Sequence, residues 1–150
     1  MKLISHRGNL EGKKPELENN PEYIDEALSK GYDVEIDVWW SDNSFYLGHD
    51  NPQYKIDTSY LLNNRCYKFW CHAKNGEALH KMRKYRLIHS FWHQEDDFVL
   101  TSKGFIWTYP NKQLYSNSIC VLPELGYKGD IKKCYGICSD YIKEYKNNIK

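Results

Sequence analysis

YDVEIDV, residues 32–38, alternates acidic and branched aliphatic side chains without a break. That alternation is the repeat of a strand, so Val34, Ile36 and Val38 share one face and Asp33, Glu35 and Asp37 the other, with Glu35 and Asp37 roughly 6.6 Å apart along the chain. Like charges on one face repel, and burying them unpaired costs several kcal/mol. The acidic face is therefore either a solvated sheet surface or a neutralised one, for which a hard divalent cation is a natural occupant.

The flanking segments give this strand neighbours. Upstream, PEYIDEALSKG (21–31) reads as a helix with Asn20 as N-cap, Pro21 at its first position, Ile24, Ala27 and Leu28 on one face, and Gly31 as the stop. Further upstream KLIS is a short strand that runs into His6-Arg7-Gly8, a titratable ring beside a fixed cation and a glycine that lets a ligand approach the backbone. Downstream, SDNSFYLGHD (41–50) predicts a tight turn at Asp42-Asn43 and a hairpin that carries His49, again beside a glycine, back toward the acids. A single histidine at a strand end is usually structural; a pair in such settings suggests acid–base chemistry.

Strand-like runs continue through YKFWCH, RLIHSFW, DFVLTS, GFIWTY, SICVLP and YGICSDY. A second helix is predicted in GEALHKMRKY (76–85), capped by Asn75, with Leu79 and Met82 one turn apart. The terminal KEYKNNIK reads as a frayed tail. Strands mixed with helices indicate an α/β protein. An ordinary eight-stranded barrel needs roughly 190 residues on average element lengths, and the chain has 150. The expected architecture is a minimal TIM-type (β/α)8 barrel with several helices missing, an open α+β sheet being the alternative.

Residues 1–150 are expected to form one domain, since 41% hydrophobic content over this length supports a single core. A formal net charge of +1 argues against a nucleic-acid or polybasic membrane surface, so any phosphate chemistry is local. No apolar run reaches the ~18–20 residues of a membrane span, nor is there a secretory leader; a soluble, cytoplasmic protein is expected. The five cysteines, an odd number with no C-x-x-C pair, read as reduced thiols. A zinc site from Cys71, His72 and the later cysteines fits no closed four-ligand spacing.

HRG at 6–8, ENN at 18–20 opening a helix, EID at 35–37 and GHD at 48–50 together resemble, in order and spacing, the HRG, PENT, ExD and HD motifs of the glycerophosphodiester phosphodiesterase family. The strong likeness spans residues 3–51; FIWTYP is similar to the family's WTVN segment and YGICSDYI to its closing DGIITDYP. The resemblance implies a TIM-type barrel and metal-assisted cleavage of a phosphodiester. Carried onto this chain, it makes His6 and His49 the acid and base, Arg7 a phosphate ligand, Glu35 and Asp37 the ligands of Mg²⁺ or Ca²⁺, and Glu18 a support of the site. Leu17 stands where the family has proline.

Where the family supplies a third metal carboxylate, the chain reads FWCHAKN, with His72 in the glutamate's place and Lys74 matching the lysine two residues on. Imidazole favours Mn²⁺ or Zn²⁺ over Ca²⁺, so His72 as third ligand shifts the expected metal; a water or another acid is the alternative ligand. Lys74 is then a point charge for the phosphate, or an ordinary surface lysine. Trp107, matching the WTVN tryptophan, stacks on the substrate alcohol or packs in the core. The expected activity is hydrolysis of a glycerophosphodiester or a related sugar or glycerol phosphodiester. Its competitors are a phosphate-binding module without turnover and a lyase that releases a cyclic phosphate. The partner is a small-molecule phosphodiester, and strand faces left bare by missing helices would suit a homo-oligomer.

Overall fold

A computed structural model describes residues 1–148. The chain runs β1 (Lys2–His6), α1 (Pro21–Ser29), β2 (Asp33–Ser41), β3 (Ser44–Leu47), β4 (Tyr54–Ile56), α2 (Thr58–Leu62), β5 (Phe69–Ala73), α3 (Gly76–Met82), β6 (Ser90–Trp92), β7 (Phe98–Leu100), β8 (Ile106–Thr108), β9 (Ser118–Val121), β10 (Gly136–Ser139) and α4 (Ile142–Asn148). None of its helices is long and apolar enough to cross a membrane.

All the strands join one mixed sheet. Neighbours along β6–β5–β2–β1–β10–β9–β8 are parallel, so their carboxyl ends lie on one rim. The acidic strand β2 is long enough to pair with β1 at its start, β5 along its middle and β3 at its end. Asp42 and Asn43, both with positive φ (48° and 56°), make the predicted hairpin turn between β2 and β3.

The sheet curls on itself. Phe91 of β6 and Trp107 of β8, near opposite ends of the strand order, have ring centroids 4.6 Å apart. The ring of ladders is not closed among the described residues: β7 pairs antiparallel with β8, and no ladder joins it to β6. Bonds from Ser102 N–H to the Ser90 carbonyl (2.9 Å) and between His89 Nε2 and Thr101 Oγ1 (2.7 Å) span that seam. The architecture is thus mixed α/β, with a curled, unclosed sheet and few helices.

Alternation along the strands builds two apolar layers. Val34, Ile36, Val38, Phe69 and Cys71 face outward onto the helices, where they meet Ile24, Ala27, Leu28, Ala78 and Met82. Each large aliphatic side chain so buried contributes about 1.5–3 kcal/mol. Inside the curl lie Ile4, Trp70, Phe91, Trp107, Ile119 and Cys138. The predicted caps hold, Asn20 accepting from Glu22 N–H and Asn75 from Ala78 N–H, each at 2.9 Å.

Some expectations are corrected. The run 143–148 is not a frayed tail but the body of α4, docked through the fully buried Ile142; the last two residues of KEYKNNIK lie outside the described residues. RLIHSFW forms a strand only from Ser90, because the Ile88 N–H is spent in a turn to the Tyr85 carbonyl. The short β4 and α2 lack the length for a sequence periodicity to show.

Candidate active site

Residues two positions beyond the inner apolar layer reach the carboxyl rim. Ile4 is followed by His6, Trp70 by His72, Phe91 by His93, Trp107 by Tyr109 and Cys138 by Asp140. In open and closed α/β sheets alike, ligands bind outside the carboxyl ends of parallel strands. A cavity of about 470 Å³ opens there, lined by His6, Arg7, Lys13, Glu35, His49, His72, Lys74, His93, Gln94, Trp107, Tyr109, Val121 and Leu122. A larger cavity at the amino ends, about 700 Å³, touches none of the expected site residues.

Asp37 sits at the centre of the rim, fully buried. Asn19 clasps it, donating from Nδ2 to Oδ2 and accepting from the Asp37 N–H, both at 2.9 Å. Arg7 Nε lies 2.9 Å from Oδ2 as an ion pair off the line of a hydrogen bond, and Lys74 Nζ lies 3.6 Å from Oδ1. Burial works to raise the Asp37 pKa, but His72, Arg7 and Lys74 outweigh it and hold the carboxylate well below the usual range. Glu35 moves the other way, pushed up by burial and then by the charge on Asp37. Asp33, on the same face of β2, belongs elsewhere: it lies at the amino end, bonded to Trp70 Nε1 at 3.1 Å and paired with Lys2 at 3.3 Å.

His72 is the residue that joins the acids. Its Nε2 donates to the His93 carbonyl at 2.9 Å, and its ring stacks on Phe91 with centroids 5.2 Å apart. The Nε2–H bond leaves Nδ1 as the nitrogen that faces Asp37 Oδ1 at 3.1 Å and Glu35 Oε1 at 3.7 Å, and with a cation bound there its lone pair would be the third ligand. Glu35, Asp37 and His72 each bring a ligand atom within 4.8 Å of the others. Three lone-pair donors facing one another, with Glu35 Oε2 and Asp37 Oδ1 buried and lacking hydrogen bonds, fit a divalent cation, and the His93 carbonyl is the kind of outer contact that orients a histidine ligand.

No family model, curated protein or solved structure matches the chain.

The remaining expected residues fall at graded depths. His6 is buried, with Nδ1 2.7 Å from Asp140 Oδ1 and Nε2 3.8 Å from Glu35 Oε2. Arg7 takes a left-handed backbone (φ 55°), which costs of order 1–3 kcal/mol in a non-glycine residue and is held by bonds from Arg7 N–H to the Glu35 carbonyl and from Asn19 N–H to the Arg7 carbonyl. Its Nη1 donates to Glu18 Oε2 at 3.1 Å, while Glu18 Oε1 accepts from Asn9 Nδ2 at 2.8 Å. Glu18 thus ties the cation of the pocket to the His6 side. Trp107 is 5% exposed and packs against Phe91, so it forms the floor of the cavity.

His49 reaches the cavity from the rim. Its side chain is 41% exposed, with Nδ1 2.7 Å from Asp50 Oδ1, and its loop is pinned by Trp39 Nε1 donating to the Gly48 carbonyl at 2.6 Å. Burial, followed by Arg7, lowers its pKa. The two motif glycines do not open the backbone to a ligand, as the sequence suggested. A Cβ on Gly8 would lie 2.6 Å from the Tyr23 ring, and one on Gly48 2.1 Å from the Asn51 carbonyl oxygen, so protein atoms already fill both approaches.

Sequence reasoning missed Asn9, Asn19 and Asp140 as members of this network. Asn19 lay within the ENN motif, and Asp140 within the segment similar to the family's closing motif, but neither spacing nor composition assigned them a partner.

Proposed function

We propose that the chain is a metal-dependent phosphodiesterase, resembling the glycerophosphodiester phosphodiesterases, built on a minimal TIM-type barrel that has lost most of its helices. Its substrate is a glycerophosphodiester or a related sugar or glycerol phosphodiester. The observation that carries this reading is the convergence of Glu35, Asp37 and His72 on one point beside His6, Arg7 and Lys74 in a single rim cavity.

A phosphodiester carries one negative charge that repels nucleophiles, so hydrolysis needs charge neutralisation and proton transfer at both the attacking and leaving oxygens. Arg7 and Lys74 supply fixed positive charge over the non-bridging oxygens. His6 and His49, both lining the cavity, divide the proton transfers, each positioned group contributing about 10²–10⁴-fold. Glu35, Asp37 and His72 would hold Mg²⁺ or Ca²⁺, or Mn²⁺ or Zn²⁺ in keeping with the imidazole, and the bound cation supplies neutralising charge to the phosphoryl group. Glu18 keeps Arg7 in place, and Trp107 closes the floor against water. Cysteines free of disulfides agree with a cytoplasmic setting.

The test is hydrolysis of glycerophosphodiesters and of bis(p-nitrophenyl) phosphate with added Mg²⁺, Ca²⁺, Mn²⁺ or Zn²⁺, in the parent, His6→Ala and Glu35→Ala. A metal-dependent parent rate that both variants lose by about 10²-fold or more supports the reading. Equal rates in all three remove it.

A further inference from the structure

We infer that Asp140 is the positioning residue of His6: it fixes the imidazole proton on Nδ1 and turns Nε2 into the cavity as the nitrogen that exchanges a proton with the reacting oxygen. The catalytic consequence rests on the phosphodiesterase reading; the positioning itself does not.

Asp140 is 1% exposed at the end of β10, the strand that pairs with β1, and its Oδ1 accepts from both His6 Nδ1 at 2.7 Å and Asn9 Nδ2 at 2.8 Å. Its own place is held by further bonds. The Asp140 N–H donates to Glu124 Oε1 and Ser139 Oγ to Glu124 Oε2, both at 2.9 Å, while the Asp140 carbonyl accepts from Gly12 N–H at 2.8 Å. Lys13 Nζ lies 3.9 Å from its other oxygen, Oδ2.

An ionised carboxylate only accepts hydrogen bonds, so the contact at 2.7 Å requires the hydrogen on His6 Nδ1. The neutral ring then carries its lone pair on Nε2, which is 3.8 Å from Glu35 Oε2 and borders the cavity. When Nε2 takes up a proton, the imidazolium remains paired with Asp140, which stays ionised throughout. The same bond sets the ring plane, so the orienting carboxylate serves His6 whether it acts as base or as acid.

The experiment reads the ring directly. Nitrogen-15 spectra of histidine-labelled, metal-free protein in mildly alkaline buffer, with His6→Ala supplying the assignment, are compared for the parent, Asp140→Ala and Asp140→Asn. The Nδ1–H tautomer is expected for His6 in the parent, retention of it in Asp140→Asn, whose Oδ1 still accepts, and its loss in Asp140→Ala. With bis(p-nitrophenyl) phosphate, Asp140→Ala is expected to lower kcat by about 10²-fold with little change in KM, and Asp140→Asn to recover part of the loss. A parent His6 protonated on Nε2 overturns the inference without any variant, as does an Asp140→Ala protein that keeps the Nδ1–H signature or the parental kcat. An Nδ1–H signature present in the parent and lost in Asp140→Ala, in a protein that hydrolyses nothing, upholds the positioning and sinks the phosphodiesterase reading alone.

Discussion

His72 Nδ1 and Asp37 Oδ1 face each other at 3.1 Å while the other nitrogen of the same ring is bound to the His93 carbonyl. A histidine beside two carboxylates makes the donor set softer than carboxylates alone, and that has a measurable consequence. Metal titrations followed by calorimetry should rank Mn²⁺ and Zn²⁺ above Mg²⁺ and Ca²⁺ for the parent, and His72→Glu should narrow the gap, most of all for Zn²⁺. His72→Ala should weaken the preferred metal by about tenfold or more. Unchanged affinities in both variants would exclude His72 as a ligand.

Gly48 fixes the loop that brings His49 to the rim. Its φ of 151° and the Asn51 carbonyl oxygen 2.1 Å from a built Cβ leave no room for a side chain. Gly48→Ala should cost about 1–3 kcal/mol from the backbone conformation alone, with the collision adding to it. Urea denaturation reads the stability loss, and the rate falls with it if His49 moves.

His89 gives the fold an acid sensitivity. It is buried against Trp70, with ring centroids 4.2 Å apart, and burial lowers its pKa to about 4, against about 6.5 in an unfolded chain. Above both values neither state is protonated and the full stability is present. As pH falls from about 6.5 toward 4 only the unfolded chain takes the proton, so stability drops by on the order of 2–3 kcal/mol. His49 and His93 shift in the same direction, so the measurement is the difference in urea midpoint slope with pH between the parent and His89→Gln; equal slopes would refute the assignment.

Thiol chemistry should be nearly silent in the native protein. Cys71, Cys120, Cys134 and Cys138 are buried, and burial raises their pKa values, that of Cys120 to about 12, while Cys66 is half-buried. Ellman's reagent should label Cys66 alone before denaturation and all five after it.

Much of this arrangement is legible in the residues. The alternation of YDVEIDV gave the two faces of β2, the Asp42-Asn43 turn returned the chain toward Asp37, and Asn20 and Asn75 marked two helix starts. What the alternation did not say is where along the acidic face each charge ends up. Asp33 pairs with Lys2 at one end of the strand while Glu35 and Asp37 meet His72 at the other, a division set by which neighbours the curl supplies. The bond from His6 to Asp140 was equally hidden, since it joins residues 134 positions apart and depends on β1 lying beside β10. Local pattern fixes which side a residue faces; only the pairing of distant strands fixes whom it meets.

That pairing also orders assembly in time. β1 is sandwiched between β2 and β10, so His6 has half of its docking edge unoccupied until the strand leading into Asp140, 134 positions further along, has slotted in. Closing so distant a contact slows folding.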